Sequence, residues 1–190
     1  MRHKINRRTL LALLPLTGCA ALRAPGTDLP PLPVPPTGPY ALGPGDVLTL
    51  RVYDQPQLSG SYTVGDGGSI DVPLLGALPA AGKSTAALAA DIAGALQSGG
   101  LILHPSVAVE VSTYRPFYSL GEVNSPGQYP YRPGMTVLSA ISVAGGFTYR
   151  ACTDYVGVTR VVAGQPGTYR APSYALVQPG DVITVFERRF

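Results

Sequence analysis

The segment from Ala80 to Thr85 reads Ala-Ala-Gly-Lys-Ser-Thr and contains the Gly-Lys-Ser residues of a phosphate-binding loop. Such a loop needs a first glycine at a fixed distance before the lysine, so that backbone N–H groups can surround a phosphate. Here that position is Ala77, and Gly76 lies one residue too early. We also expect no strand to run directly into the loop. The spacing therefore argues against nucleotide binding.

Three carboxylates and one histidine are the remaining candidates for catalysis. Asp54, Asp66 and Asp71 could supply the acid–base pair of a glycoside hydrolase, but Asp66 suits a turn and Asp71 the exposed face of a strand. His104 is the single histidine after residue 18, whereas metal sites and Ser-His-Asp sites need several side chains at defined spacing. We therefore predict that the chain is not an enzyme and holds no metal and no cofactor.

Residues 1–18 have the pattern of an export signal. Basic residues precede an apolar run that is too short for a membrane-spanning helix, which needs about 20 residues. The run ends in Leu16-Thr17-Gly18-Cys19, which resembles the lipobox of bacterial lipoproteins. That resemblance implies removal of residues 1–18 as a lipoprotein signal peptide and lipidation of Cys19. Because Ala20 rather than Asp follows, it also implies sorting to the outer membrane. A plain secretory signal with an incidental cysteine is the alternative.

Removal of that segment changes the charge of the chain. It takes away four of the 14 Lys and Arg residues and none of the 11 Asp and Glu residues, which leaves 10 basic against 11 acidic residues and a net charge of −1. Since nucleic-acid binding depends on clustered basic residues, the composition argues against a nucleic-acid partner. With Cys19 lipidated, Cys152 has no cysteine to pair with, and no intrachain disulfide is expected.

Residues 19–39 contain seven prolines, a composition that favours extended polyproline geometry over a helix or a central strand. At about 3.1 Å per residue, such a segment reaches several tens of Å. We therefore predict a Pro-rich tether between the lipid and the folded part.

The folded part is predicted to form two small units of an α+β fold. In residues 40–114, apolar alternation and turn residues predict a strand over 46–54, a hairpin of two strands across Gly65–Gly68, a helix over 86–97 and a strand over 105–114. In residues 115–190, the same signals predict a strand over 117–123, a helix over 136–144, and strands over 155–162 and 179–188. The order of elements in the second unit, strand, helix, strand, strand, suits a small α+β or β-grasp-like domain.

Two nearly identical turns stand at the start of the first unit and at the end of the second. Pro44-Gly45-Asp46 and Pro179-Gly180-Asp181 each precede an apolar, β-branched run. Pro followed by Gly suits the two central positions of a type II turn. We expect each aspartate to accept backbone N–H bonds where its strand begins.

The order of these motifs resembles that of bacterial outer-membrane polysaccharide export proteins. The polysaccharide export domain of that family is represented by Gly45-Asp46, Leu58-Ser59-Gly60, Asp66-Gly67 with Ile70, Pro73–Gly76 and Pro105–Val109. A following SLBB domain, a β-grasp-like module, is represented by Gly121–Gly127, Ala144–Gly146 and Gly180–Ile183. The resemblance covers residues 40–190 and implies that 40–114 form the export domain and 115–190 the SLBB domain.

The resemblance implies a homo-oligomeric ring at the periplasmic face of the outer membrane. A capsular polysaccharide or exopolysaccharide would pass through this ring after transfer from an inner-membrane polysaccharide co-polymerase. Long members of the family carry a second SLBB domain and a C-terminal helix that crosses the outer membrane, whereas this sequence ends at Phe190. The expectation is therefore a short form that either works with a separate outer-membrane β-barrel or acts only as a periplasmic conduit.

Within such a conduit, Arg51, Tyr53 and Tyr62 are the candidate contacts to the sliding glycan, since aromatic and polar side chains contact sugars weakly and repeatedly. Either face of their strands could be the buried one. The alternative function is a monomeric periplasmic glycan-binding lipoprotein, which would differ from a ring-forming protein in its mass in solution.

Overall fold

A computed structural model describes residues 24–34, 38–162 and 164–188 of the chain. Cys19 and the predicted signal peptide lie outside the described residues. The elements are β1 (Val47–Val52), β2 (Gly60–Thr63), β3 (Ser69–Val72), β4 (Gly76–Pro79), α1 (Thr85–Ser98), β5 (Val107–Thr113), β6 (Phe117–Gly121), β7 (Gly127–Tyr129), α2 (Val137–Val143), β8 (Val156–Val162), β9 (Gln165–Ala171) and β10 (Val182–Val185). Among the described residues, none of the helices combines the length and the apolar character needed to cross a lipid bilayer.

The first unit is an antiparallel sheet in the order β2-β1-β5, with α1 packed against β5. Alternate residues of β1 point into the core, and one stripe of α1 meets them there, as the apolar spacing predicts; the stripe consists of Leu88, Ile92 and Leu96. Ser84 begins the helix because its hydroxyl accepts the backbone N–H of Ala87 at 3.1 Å.

The predicted hairpin across Gly65–Gly68 is wrong in its pairing. The turn itself forms, since the Gly68 N–H donates to the Gly65 carbonyl at 2.8 Å. The two flanking strands, however, belong to different sheets: β2 pairs with β1, and β3 pairs with β4. The Asp-Gly signal identifies the turn, but β2 ends its sheet beside β1, and β3 turns away to pair with β4. In addition, β4 leads directly into the Gly82-Lys83 loop, contrary to expectation.

The second unit is a mixed sheet in the order β7-β6-β10-β8-β9. Strand β10 pairs parallel with β6 and antiparallel with β8. Thr136 caps α2, and its side chain exchanges hydrogen bonds with Ser139 in a capping box. The sequence patterns predict neither β7 nor β9. For β9 the reason is that it contains Pro166 and Gly167, which usually interrupt strands. Proline is tolerated there because β9 lies at the edge of the five strands.

The N-terminal segment, predicted as a tether, is packed against the second unit over part of its length. The Leu32 N–H donates to the Arg170 carbonyl at 2.8 Å, and the Arg170 N–H donates to the Pro30 carbonyl at 2.7 Å, so this segment pairs with β9. The Tyr155 hydroxyl donates to the Pro25 carbonyl at 2.8 Å. From Cys19 to Pro25 the chain takes six residue steps. At about 3.3 Å per residue they span at most about 20 Å, less than the predicted reach.

Each unit has its own hydrophobic core. The first core is formed by buried residues between Leu42 and Val109, and the second by buried residues between Phe117 and Val185. The chain passes from one core to the other between β5 and β6, and the residues around that connection bring the two similar turns together.

Candidate functional site

The two Pro-Gly-Asp turns have nearly the same backbone conformation. The φ angles of Gly45 and Gly180 are +89° and +87°, a region that favours glycine. The Asp46 N–H donates to the Gly43 carbonyl at 3.1 Å, and the Asp181 N–H donates to the Gln178 carbonyl at 3.1 Å. These are the hydrogen bonds of type II turns, as the sequence predicts.

The two aspartates are buried at the beginning of their strands and accept backbone hydrogen bonds, which also confirms the prediction. Asp46 accepts the N–H of Gly43 at 2.8 Å, and Asp181 accepts the N–H of Gln178 at 2.7 Å. The exposed fractions of Asp46 and Asp181 are 0% and 1%. A buried carboxylate needs a cationic partner as well, and each of these has an arginine.

Arg115 is the partner of Asp46 and also contacts the second turn. Its backbone N–H donates to Asp46 Oδ1 at 2.9 Å, and its Nη1 donates to Asp46 Oδ2 at 3.2 Å. Its Nε donates to the Pro179 carbonyl at 3.1 Å. One arginine, located between the two units, therefore binds the carboxylate of one turn and the backbone of the other.

Arg160 is the partner of Asp181 and lies within the second unit. Its Nε and Nη2 donate to the two carboxylate oxygens of Asp181 at 2.9 and 2.6 Å, a bidentate arrangement that fixes both side chains. Its Nη2 also donates to the Leu176 carbonyl at 2.9 Å. Only 6% of Arg160 is exposed.

Three tyrosines connect the two units beside these ion pairs. The ring of Tyr114 meets Tyr40 edge-on at a centroid distance of 5.1 Å and meets Tyr131 edge-on at 5.4 Å. The Tyr40 hydroxyl donates to Asp46 Oδ2 at 2.7 Å and accepts from Arg115 Nη1 at 3.0 Å. Burial, and then the hydrogen bond to Asp46, raise the pKa of Tyr40 far above its usual value, so the hydroxyl stays protonated.

A pocket of about 490 Å³ lies at this junction of the two units. Arg115 and Arg160 line it, together with Tyr40, Tyr131 and mainly apolar side chains. The two aspartates are not among the lining residues. Because both carboxylates are fully buried, the arginines are the members of the two ion pairs that line the pocket.

The structure does not bring the predicted glycan-contact residues to this pocket. Arg51 and Tyr53 are exposed near the end of β1, and 82% of Tyr53 is accessible. Tyr62 is the register partner of the buried Leu48, so it lies on the opposite face of the sheet from Arg51. Its ring packs against the first core, and its hydroxyl donates to the Leu58 carbonyl at 2.9 Å. The three side chains do not share one surface.

The sequence patterns indicate the two aspartates but not their arginines. Arg160 occupies the same phase of β8 as the buried Val156 and Val158. A charge in the apolar phase of a strand is a signal that could have revealed it, because such a charge needs a partner. Arg115 follows a strand end and carries no comparable local signal. The carboxylates Asp54, Asp66 and Asp71 are exposed, and no metal-binding cluster occurs in the residues that the structure covers.

Comparisons with known proteins identify the family. The chain matches the family described as polysaccharide biosynthesis/export protein over residues 34–112 and the SLBB domain over residues 117–171. It is 40% identical over 170 residues to the exopolysaccharide production protein ExoF of Rhizobium meliloti (strain 1021), an alignment that covers 81% of this chain and 37% of that protein. It is 28% identical over 186 residues to the EPS I polysaccharide export outer membrane protein EpsA of Ralstonia nicotianae, which covers 79% of this chain and 48% of EpsA.

The chain thus spans less than half the length of these curated relatives. Both domains nevertheless occur in order along one α+β chain, and proteins of this kind are transport components rather than enzymes. The chain belongs to the polysaccharide export protein family.

Proposed function

We propose that this chain is a non-enzymatic component of an exopolysaccharide export machine and forms an oligomeric conduit at the periplasmic face of the outer membrane. The observation that carries the proposal is the succession of an export domain and an SLBB domain, in a chain 40% identical to a relative named for exopolysaccharide production. We place the boundary between the two domains after Tyr114, where the first core ends and Arg115 begins the junction.

The attachment to the membrane is proposed to be a lipid on Cys19, after removal of residues 1–18. The Leu-Thr-Gly-Cys pattern supports this, and the Ralstonia relative is named as an outer membrane protein. Because residues 25–32 are packed on the second unit, a lipid at Cys19 would keep that unit within about 20 Å of the membrane surface.

The proposed partners are other copies of this chain, the secreted polysaccharide and an inner-membrane polysaccharide co-polymerase. Arg51 and Tyr53 are accessible and can contact a passing glycan. Tyr62 can take part only where its ring edge is accessible, since its hydroxyl is already bonded to the Leu58 carbonyl. Weak contacts of this kind suit a conduit, because tight binding would stall the polymer.

Deletion of the gene, followed by measurement of secreted polysaccharide, tests the export function. We expect secretion to stop and to return when the wild-type gene is restored; unchanged secretion would refute the proposal. Light scattering of the purified chain tests the conduit separately, because a ring gives a multiple of the mass of one chain, which is 19.7 kDa before residues 1–18 are removed. A single-chain mass at all concentrations would instead favour a monomeric glycan-binding lipoprotein.

A further inference from the structure

We propose that the pocket between the two units is a binding site for an acidic sugar, a pyranose that bears a carboxylate. This proposal rests on the proposed function, because it names the type of unit in the exported polymer that the chain holds. Four observations support it: the orientation of the two ion pairs, their free donors, the character of the walls, and the volume of the pocket.

The orientation of the ion pairs makes the pocket attractive to negative charge. Arg115 and Arg160 line the pocket, whereas their carboxylate partners Asp46 and Asp181 lie behind them. Two guanidinium groups are therefore closer to a bound ligand than the two carboxylates that balance them. This arrangement favours one carboxylate over a neutral ligand, but the nearby aspartates limit how much negative charge it can accept.

Both guanidinium groups keep donors for a ligand. Arg160 uses Nε and Nη2 for its protein contacts, and its Nη1 donates to none of the described residues. Arg115 uses Nε and Nη1, and its Nη2 likewise has no acceptor within the described ranges. Among the described residues, Ser119 Oγ is the one fully buried side-chain polar atom without a hydrogen-bond partner. Since these two nitrogens also have no partner but are not fully buried, both are accessible to a ligand. A guanidinium can donate two parallel hydrogen bonds to a carboxylate.

The walls suit the carbon face of a sugar ring. Tyr40, Tyr131 and Val161, which is 65% exposed, are among the residues that line the pocket. Apolar and aromatic walls with a few convergent polar groups are typical of small-molecule sites, whose volumes are about 300–1,000 Å³. The pocket has a volume of about 490 Å³, which lies within that range.

Saturation-transfer NMR on the full-length chain in detergent micelles tests the site, with D-glucuronate, D-glucose and inorganic phosphate as probes. We expect glucuronate to bind in the millimolar range and glucose about tenfold more weakly, because glucose lacks the carboxylate. Phosphate should bind no more tightly than glucuronate, since it cannot use the apolar walls. Equal binding of glucuronate and glucose, tighter binding of phosphate, or no binding of glucuronate would each overturn the proposal.

Three variants locate the binding. Val161→Trp enlarges a residue that lines the pocket and belongs to neither ion pair, and should weaken glucuronate binding. Arg115→Gln removes one guanidinium and should weaken binding about tenfold, whereas Arg150→Gln, the same change at an exposed arginine that is also paired with a carboxylate but lies outside the pocket, should leave it unchanged. Circular dichroism establishes that each variant is folded. Loss of binding in Arg150→Gln, or full binding in Val161→Trp, would place the sugar elsewhere and refute the site.

Failure of this proposal can be told apart from failure of the export function. If gene deletion stops secretion but the wild-type chain binds no glucuronate, only the pocket assignment is wrong. If deletion leaves secretion intact, the export function fails, whatever the chain binds in solution.

Discussion

The turns at Asp46 and Asp181 share a sequence, a backbone conformation and a buried carboxylate, but they differ in the arginine that neutralises it. Asp181 takes its arginine from β8 of the same unit, 21 residues away, and 6% of that side chain is exposed. Asp46 takes its arginine from the start of the next unit, 69 residues away, and 30% of that side chain is exposed. One pair therefore closes a single unit, whereas the other joins two.

This difference in arginine partners indicates that the same turn motif can serve two structural purposes. Proline, glycine and aspartate determine the turn and the burial of the carboxylate. Both features are the same at the two turns, although the arginine that pairs with the carboxylate comes from a different part of the chain. The position of the arginine then decides whether the pair stabilises one core or fixes the angle between two. We expect substitutions at the two turns to differ in how much unfolding free energy they cost and in which strands lose protection from hydrogen exchange.

The largest effect is expected for Asp181→Asn. The substitution leaves the Arg160 guanidinium buried without a charged partner, which typically costs about 3–5 kcal/mol of unfolding free energy. Urea denaturation followed by circular dichroism measures the loss. The double variant Arg160→Met with Asp181→Asn should recover part of it, because no charge then remains buried alone. A loss below about 1 kcal/mol for the single variant would contradict this interpretation of the pair.

A smaller effect with a different location is expected for Arg115→Gln. Because this guanidinium is partly exposed, water can replace some of its contacts, and we expect a loss of about 1–3 kcal/mol. The two units should then unfold in separate steps, since the variant loses the side-chain contacts to Asp46, Tyr40 and Pro179.

Hydrogen exchange measured by mass spectrometry separates these two outcomes. Asp181→Asn should reduce protection mainly in β8 and β10, and Arg115→Gln mainly at the junction around Asp46 and Pro179. The same protection pattern in both variants would mean that the two pairs do not have distinct roles.

The parts of the fold that depend on local sequence could be predicted. Both turns followed from Pro-Gly-Asp, and both helices from the residues that cap and end them, with an apolar stripe as a further signal for the first, because these signals lie within a few residues of the structure they determine. The pairing of strands could not be predicted in the same way. The Asp66-Gly67 turn was identified correctly, but the edge of β2 pairs with β1, a choice that depends on the register between distant segments.

The candidate site was predictable only in its carboxylates. Nothing near Arg115 in the sequence indicates a partner 69 residues away, and the face on which Tyr62 lies is set by its register with Leu48. Residues 25–32 were predicted to be extended from their proline content, and their packing on β9 could not be inferred, since proline-rich sequence specifies conformation but not contacts.

Gly43 offers a test that moves the Arg115 side chain without changing any charge. A Cβ at Gly43 would lie 2.1 Å from Arg115 Nη1, so Gly43→Ala must displace the guanidinium. The equivalent position in the second turn is Gln178, which already carries a side chain there. We expect Gly43→Ala to cost about 1–2 kcal/mol and to loosen the junction as Arg115→Gln does, whereas Gln178→Ala should change stability by less than about 0.5 kcal/mol. Equal losses in urea denaturation would show that Arg115 does not distinguish the turns.

The smallest effect distinguishes the turns by pH, because only Asp46 accepts a hydrogen bond from a tyrosine hydroxyl, that of Tyr40. The folded state raises the pKa of Tyr40, so it holds this proton more tightly than the unfolded chain does, and the resulting stability is complete below the ordinary pKa of about 10. It is lost as the pH rises above that value.

Tyr40→Phe should cost about 0.5–1.5 kcal/mol at neutral pH and should make the alkaline decline in unfolding free energy shallower. The decline should not vanish, because burial also raises the pKa of Tyr131. Tyr53→Phe, at an 82% exposed tyrosine, is the matched control. Identical slopes for the wild-type and Tyr40→Phe proteins in urea titrations between about pH 9 and 11 would exclude a role of this hydroxyl in the junction.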